Sequence, residues 1–190
     1  KRQFYGATYL LDQIGDKLGI VDDLKASFPD RYKQLLSLAY FFVLEEGMSA
    51  YRLRKWALTH KHSYGRDIPS QQISDLMGSI DEASKMNFFR RQAKRRAEKE
   101  YLAFDTTSIS SYSELIKLAK YGKNKEGDHL PQVNLALLYG EVSRLPVYFR
   151  KLTGNTADVS LIRNLMLDID FLDMKKLSFV MGRGLSLIPI

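Results

Sequence analysis

Asp105 is the residue whose neighbours best equip it for chemistry. It follows Tyr101-Leu-Ala-Phe104 and precedes Thr106 and Thr107, so an apolar run ends on a carboxylate and two β-branched hydroxyl residues. That composition predicts a strand over Tyr101 to Thr107. Alternation puts Asp105 on one face with Ala103 and Thr107, and Leu102 with Phe104 on the other. A carboxylate where a strand ends is a common ligand for a divalent cation, because ligands gather outside the carboxyl ends of strands. The same residue can instead begin a turn or cap the next segment. His60 and His62 also have ligand chemistry. They stand two apart in a loop-like segment, Thr59 to Pro69, with no acid or cysteine partner at ligand spacing, and they read as solvated histidines.

The whole chain limits what such residues can serve. A length of 190 residues fits one full domain or two small ones, and 45% hydrophobic residues suffice for a packed core. With no cysteine, disulfides, zinc–cysteine sites and thiol catalysis are excluded. A net charge of +7 and a pI near 9.5 suit a polyanionic partner such as nucleic acid, a balance shared by ribosomal and membrane-surface proteins. No apolar run approaches the ~20 residues needed to span a bilayer, so no membrane partner is expected. No signal peptide is visible. The first residue is Lys1 and not Met, which suggests a piece of a longer chain.

The elements before Asp105 read as helices. Ala7, Leu10, Leu11, Ile14 and Leu18 recur at helical spacing, and Gly19 is suited to end that helix left-handed. Val21, Leu24 and Phe28 mark a second short helix before Pro29. The pair resembles a helix-turn-helix, or an ordinary helical hairpin, and Asp22 with Asp23 at the second helix's start suit a phosphate poorly. Asp30 is placed to cap a third helix to about Glu46. Its Leu35, Leu36, Leu38, Ala39, Phe41, Phe42 and Val43 predict the buried spine of this half. Ser49 opens a helix carrying Trp56, with Arg52, Arg54 and Lys55 toward its outer side, and Ser70 is placed to cap a helix to Met77. Ser79-Ile-Asp-Glu82 has capping-box form. The helix after it sets Met86, Phe89, Ala93 and Ala97 on one stripe. Arg90, Arg91, Lys94, Arg95, Arg96 and Lys99 fill much of the rest, as a phosphate-contacting surface or as a solvated face.

After Asp105, Ser111-Tyr-Ser-Glu114 predicts a short helix to about Tyr121, with Lys117, Lys120, Lys123 and Lys125 in a basic insert. Gln132 to Tyr139 reads as a central strand and Leu145 to Leu152 as its hairpin partner. Asp158 opens a helix with Val159, Ile162, Leu165, Met166 and Ile169, and its acid suits the macrodipole. Leu177 to Met181 is a further strand. The order strand, insert, strand, strand, helix, strand is that of the opening of a ribonuclease-H-like fold. The expected class is therefore α+β, with a helical, basic, DNA-binding region over 1–99 and a partial ribonuclease-H-like α/β core over 100–190.

Several stretches resemble bacterial insertion-sequence transposases of the DDE class. They are Asp105-Thr-Thr-Ser-Ile-Ser-Ser, Leu130-Pro-Gln-Val-Asn-Leu-Ala-Leu, Leu145-Pro-Val-Tyr-Phe-Arg, Gly154-Asn155 with Asp158, and Met181 followed by Arg183-Gly184. In the front half they are Gly6-Ala-Thr-Tyr-Leu-Leu-Asp-Gln-Ile, Lys55-Trp56 and Asp67-Ile-Pro-Ser70. The resemblance implies transposition, with transposon-end DNA as partner, more than one copy on that DNA, and a place on the nucleoid of a bacterial cytoplasm. It implies Asp105 as a catalytic ligand for Mg²⁺ or Mn²⁺, where two metals promote phosphodiester chemistry. The family's second aspartate falls on Gly182, which cannot ligate, and its downstream glutamate has no counterpart before Ile190. Asp168, Asp170 and Asp173 precede the last strand and are not expected to substitute. Magnesium binds weakly to a single carboxylate. The expectation is a truncated transposase unable to cut or join DNA, or a binding fragment that interferes with an intact relative. An inert, aggregating fragment is the blandest alternative.

Overall fold

Two compact units divide the chain, Lys1–Phe88 and Phe89–Ile190. The computed structural model describes residues 2–96, 100–122, 129–156, 167 and 179–181. Among them are six α-helices and one four-stranded sheet, a mixed α+β chain.

In the first unit α1 is Gly6–Lys17, α2 Ile20–Ser27 and α3 Tyr32–Leu44. Gly19 joins the first two helices at φ 71°, the left-handed turn its missing side chain permits. The buried side of α1 is not the expected apolar stripe. Thr8 and Gly15 are buried, whereas Ala7 is exposed, Leu10 is 59% exposed and Ile14 42%. The helix turns this way because Tyr40 Oη of α3 donates to Asp12 Oδ1 at 2.7 Å, and Gly15 lets Val21 approach. Burial and the Asp12 carboxylate together push the Tyr40 phenol above its ordinary range. Arg31, not Asp30, is the N-cap of α3, and no side chain caps it. The spine expected there holds in part. Leu36, Leu38, Tyr40 and Phe41 are buried, but Phe42 and Val43 face outward.

A 3₁₀ turn at Ala50–Arg52 leads into α4, Leu53–Thr59, and α5 is Ser70–Gly78. Ser70 lies inside α5, after Pro69 at its N-cap. The core of this unit gathers Leu36, Leu38 and Phe41 with Leu53, Trp56, Ile68, Ile73 and Leu76. The two histidines belong to that packing. His60 stacks on Trp56 with centroids 4.6 Å apart, and His62 is 7% exposed with Nδ1 2.9 Å from Ser37 Oγ. Ser37 Oγ also donates to Lys33 O at 2.7 Å and accepts from Tyr64 N at 3.0 Å.

Burial holds the His62 imidazole below its usual value, partly offset by a hydrogen bond with the Ala57 backbone. As pH falls through about 6.5 the unfolded chain takes up a proton that the folded one resists. Stability is therefore expected to rise with pH across that window and to be lost below it. Denaturant midpoints from pH 7.5 to pH 5 should fall more steeply in the wild type than in His62→Gln. Parallel slopes would remove His62 as the cause.

Helix α6, Glu82–Arg96, runs across the division between the units. Its cap is Asp81, whose Oδ1 accepts from Ser84 N at 2.8 Å, and that bond holds the Asp81 carboxyl below its usual range. Ser79 does not form the expected capping box, because its hydroxyl donates back to Leu76 O at the end of α5.

The sheet of the second unit has strands β1 Leu102–Ser110, β2 Gln132–Gly140, β3 Pro146–Thr153 and β4 Phe179–Met181. Their order is β3-β2-β1-β4, with β1, β2 and β3 antiparallel and β4 parallel to β1. Phe104, Leu138 and Tyr148 stand opposite one another across three strands and are all buried. Phe89 of α6 meets Tyr148 and Phe149 edge-on at 5.1 and 5.2 Å, and Ala93 is fully buried one turn on. The turn from β2 to β3 is clamped by Glu100, whose Oε2 accepts from Val142 N and Ser143 N, each at 2.8 Å.

The helix expected after Ser111 is replaced by turns. Ser111 Oγ accepts from Ser113 N and Ser113 Oγ from Leu115 N, so each hydroxyl bends the chain two residues on instead of capping a helix. The segment is then tied down where Lys120 and Gln132 exchange backbone hydrogen bonds, each 3.0 Å. The helix expected from Asp158, together with Lys123, Lys125, Asp168, Asp170 and Asp173, lies outside the described residues.

Candidate nucleic-acid interface

Positive charge is distributed unevenly. Residues 1–88 hold 12 basic and 11 acidic side chains, close to balance, whereas residues 90–99 hold six basic and one acidic. The excess therefore sits on the end of α6 that belongs to the second unit. Phe89, Gln92 and Ala93 are buried, which fixes how that helix is turned. At 100° per residue Arg91, Lys94 and Arg95 then fall on the opposite side, and all three are exposed. Arg90 lies between and is half-buried. Arg90 and Arg95 each engage other groups of the chain. Arg96 closes the described helix, and Lys99 lies outside the described residues. The structure thus brings Arg91, Lys94 and Arg95 onto the exposed side of one helix.

Asp105 is exposed and its face alternates as the sequence indicates, with Phe104 buried behind it. Its place in the strand differs from expectation. β1 continues through Thr106 and Thr107 to Ser110, because Thr106 to Ser110 keep pairing with Gln132 to Ala136 of β2. Asp105 is therefore mid-strand, opposite Leu137, and not at a strand end. On its other side β1 pairs with β4, where Phe104 is opposite Met181, the last described residue of that strand. Gly182, which follows Met181 in sequence, lies outside the described residues.

Whether a divalent metal fits can be judged from the donors at hand. The residue opposite Asp105 is the aliphatic Leu137, and its same-face neighbours are Ala103 and Thr107. Among the described residues no three His, Asp or Glu side chains converge to hold a metal ion. One carboxylate and one hydroxyl do not make the oxygen cage that magnesium or manganese needs. Asp105 also engages another group of the chain, and Asp158, Asp168, Asp170 and Asp173 lie outside the described residues.

Two separate stretches at the sheet are joined through Gly154. Gln132 Nε2 and Asn134 Nδ2 both donate to Gly154 O, at 3.1 and 3.3 Å, while Gly154 N donates to Leu118 O at 3.2 Å. Sequence reading noted these residues separately and missed the contact. The signal available was a polar Gln and Asn inside an otherwise apolar strand, each needing an acceptor once buried. Among the described residues no helix is long and apolar enough to cross a membrane. No family model, no curated protein and no solved structure matches the chain.

Proposed function

We propose that the chain is a DNA-binding protein of transposase descent, of the DDE class. In this reading the sheet is the opening of a ribonuclease-H-like core, and α6 holds the phosphate backbone of transposon-end DNA. The observation that carries it is the register at the parallel edge of the sheet. An antiparallel β1-β2-β3 meander with β4 parallel to β1 supports that reading. Within it the resemblance assigns Asp105 as the first acid, next in β1 after Phe104, which stands opposite Met181. The concentration of cations on the exposed side of α6 supports DNA as the partner. The same reading puts the protein on the nucleoid of a bacterial cytoplasm, with more than one copy on its DNA.

In this reading the chain binds without cleaving, because Gly182 stands where the resemblance expects the second acid, so its proposed action is occupancy of DNA in competition with an intact relative. A labelled duplex should be retarded in a salt-dependent way. It should stay uncut in Mg²⁺ or Mn²⁺, by the wild type and by Asp105→Ala alike. Metal-dependent cutting that disappears in Asp105→Ala would overturn the non-cleaving part. Failure to retard any duplex at low salt would overturn the DNA part.

A further inference from the structure

A cleft of about 240 Å³ opens in the first unit between the end of α3 and α4. Trp56, Thr59 and His60 line it, with Met48, Arg52 and Lys55. Three features of it are unexplained by packing alone. Trp56 is 4% exposed, yet its buried Nε1–H has no hydrogen-bond partner among the described residues. Arg52 and Lys55 are exposed and neither forms an ion pair among the described residues, although Glu45 also lines the cleft. Arg52 is steadied by Met48 Sδ at 3.2 Å and Tyr51 Oη at 3.4 Å, with the Glu45 carboxylate near it but outside ion-pair contact. Beside the cleft, Phe4 is 71% exposed but not loose. Its N donates to Thr59 O and its O accepts from Lys61 N, each at 2.8 Å, and its ring lies 5.2 Å from that of His60.

A ligand that answers all three has a flat aromatic face, a hydrogen-bond acceptor on its edge, and a phosphate. The cleft is smaller than the ~300 Å³ at which drug-sized pockets begin, which suits one base. A base inside a duplex is stacked and paired and cannot enter such a site without being extruded. We infer that this cleft seats an unpaired nucleotide of single-stranded DNA. Its base sits in the cleft with an edge acceptor toward the Trp56 Nε1–H, its phosphate lies by Arg52 and Lys55, and the exposed Phe4 ring is the platform for the next base. Stacking on aromatic side chains combined with cations along the backbone is how single strands are held without sequence preference. The inference deepens the DNA-binding reading and rests on it, since the duplex surface proposed above is on α6 and not here.

Trp56 is the only tryptophan of the chain, so its fluorescence reports the cleft directly. Titration with a ten-nucleotide oligothymidylate should quench it saturably. Arg52→Glu combined with Lys55→Glu should weaken that binding by at least about tenfold. Phe4→Ala should weaken it by about tenfold through lost stacking. Both sites are exposed, so these variants test binding and not folding. Duplex retardation by the same wild-type preparation is read separately. No quenching by a preparation that retards duplex overturns the single-strand seat alone, and loss of both overturns both readings. Quenching that the two charge reversals leave intact would put the strand elsewhere. Equal quenching by free thymidine monophosphate at matched concentration would assign the cleft to a mononucleotide and overturn the strand.

Discussion

Arg91→Glu with Lys94→Glu is expected to weaken duplex binding by roughly a hundredfold at about 0.1 M salt. Each phosphate that a side chain neutralises contributes about 0.9 to the slope of log affinity against log salt, so at ~0.1 M each contact is close to a factor of ten. Losing two should lower the slope by about 2 and the affinity by the product, and reversal adds repulsion to the loss. These two positions are chosen over their neighbours for a structural reason. Arg90 is half-buried, and both it and Arg95 engage other groups of the chain, so reversing them would mix folding with binding. Arg91 and Lys94 are exposed on the side of α6 opposite buried Phe89 and Ala93. Substitutions at such positions normally shift stability by no more than about 0.5 kcal/mol. The check is retardation of one duplex at several salt concentrations, with thermal unfolding as the control. An unchanged slope in a variant that melts like the wild type would remove α6 from the interface.

What the sequence made legible followed from patterns in which apolar residues alone decide the answer. The strand around Asp105 and the stripe Phe89–Ala93 each bury the side that alternation or helical spacing indicates, and the run from Gln132 is a central strand as its apolar content indicates. Gly19 was legible because only one backbone conformation needs a glycine there. Burial that depends on polar groups finding one another was not. The inward side of α1 is made by Thr8, Asp12 and Gly15, with Asp12 held by Tyr40 28 residues away, and no count of apolar positions reveals that. His62 looked solvated because its partner Ser37 lies 25 residues before it. Asp81 won the cap of α6 over Ser79 because Ser79's hydroxyl was already committed to the preceding helix. The position of Asp105 failed in a related way. Its own run looked like a strand ending on an acid, but pairing with Gln132 to Ala136 extends the strand five residues beyond it.

Gly154→Ala is expected to cost the second unit about 3 kcal/mol or more, among the larger single-residue losses a buried site produces. A Cβ built on Gly154 runs into the backbone oxygens of Gln132 and Lys120, and neither can step aside. Lys120 and Gln132 are locked to each other by reciprocal backbone hydrogen bonds of 3.0 Å, and Gly154 is itself held by Leu118, Gln132 and Asn134. Making room therefore breaks backbone bonds and leaves the Gln132 side chain, in a fully buried residue, without its acceptor. In a unit of about a hundred residues such a loss lowers the melting temperature by more than about 10 °C. Gly78→Ala supplies the contrast, since nothing lies within 4 Å of a Cβ at that last residue of α5. There the lost flexibility of the unfolded chain should leave stability unchanged or raised by up to about 1 kcal/mol. If both variants melt like the wild type, three segments do not cross at Gly154. The shared place of Leu130-Pro-Gln-Val-Asn134 and Gly154-Asn155 in one structural knot would then be lost. If only Gly154→Ala collapses, the bonds that Gly154 makes with Leu118, Gln132 and Asn134 are what tie these stretches to the sheet.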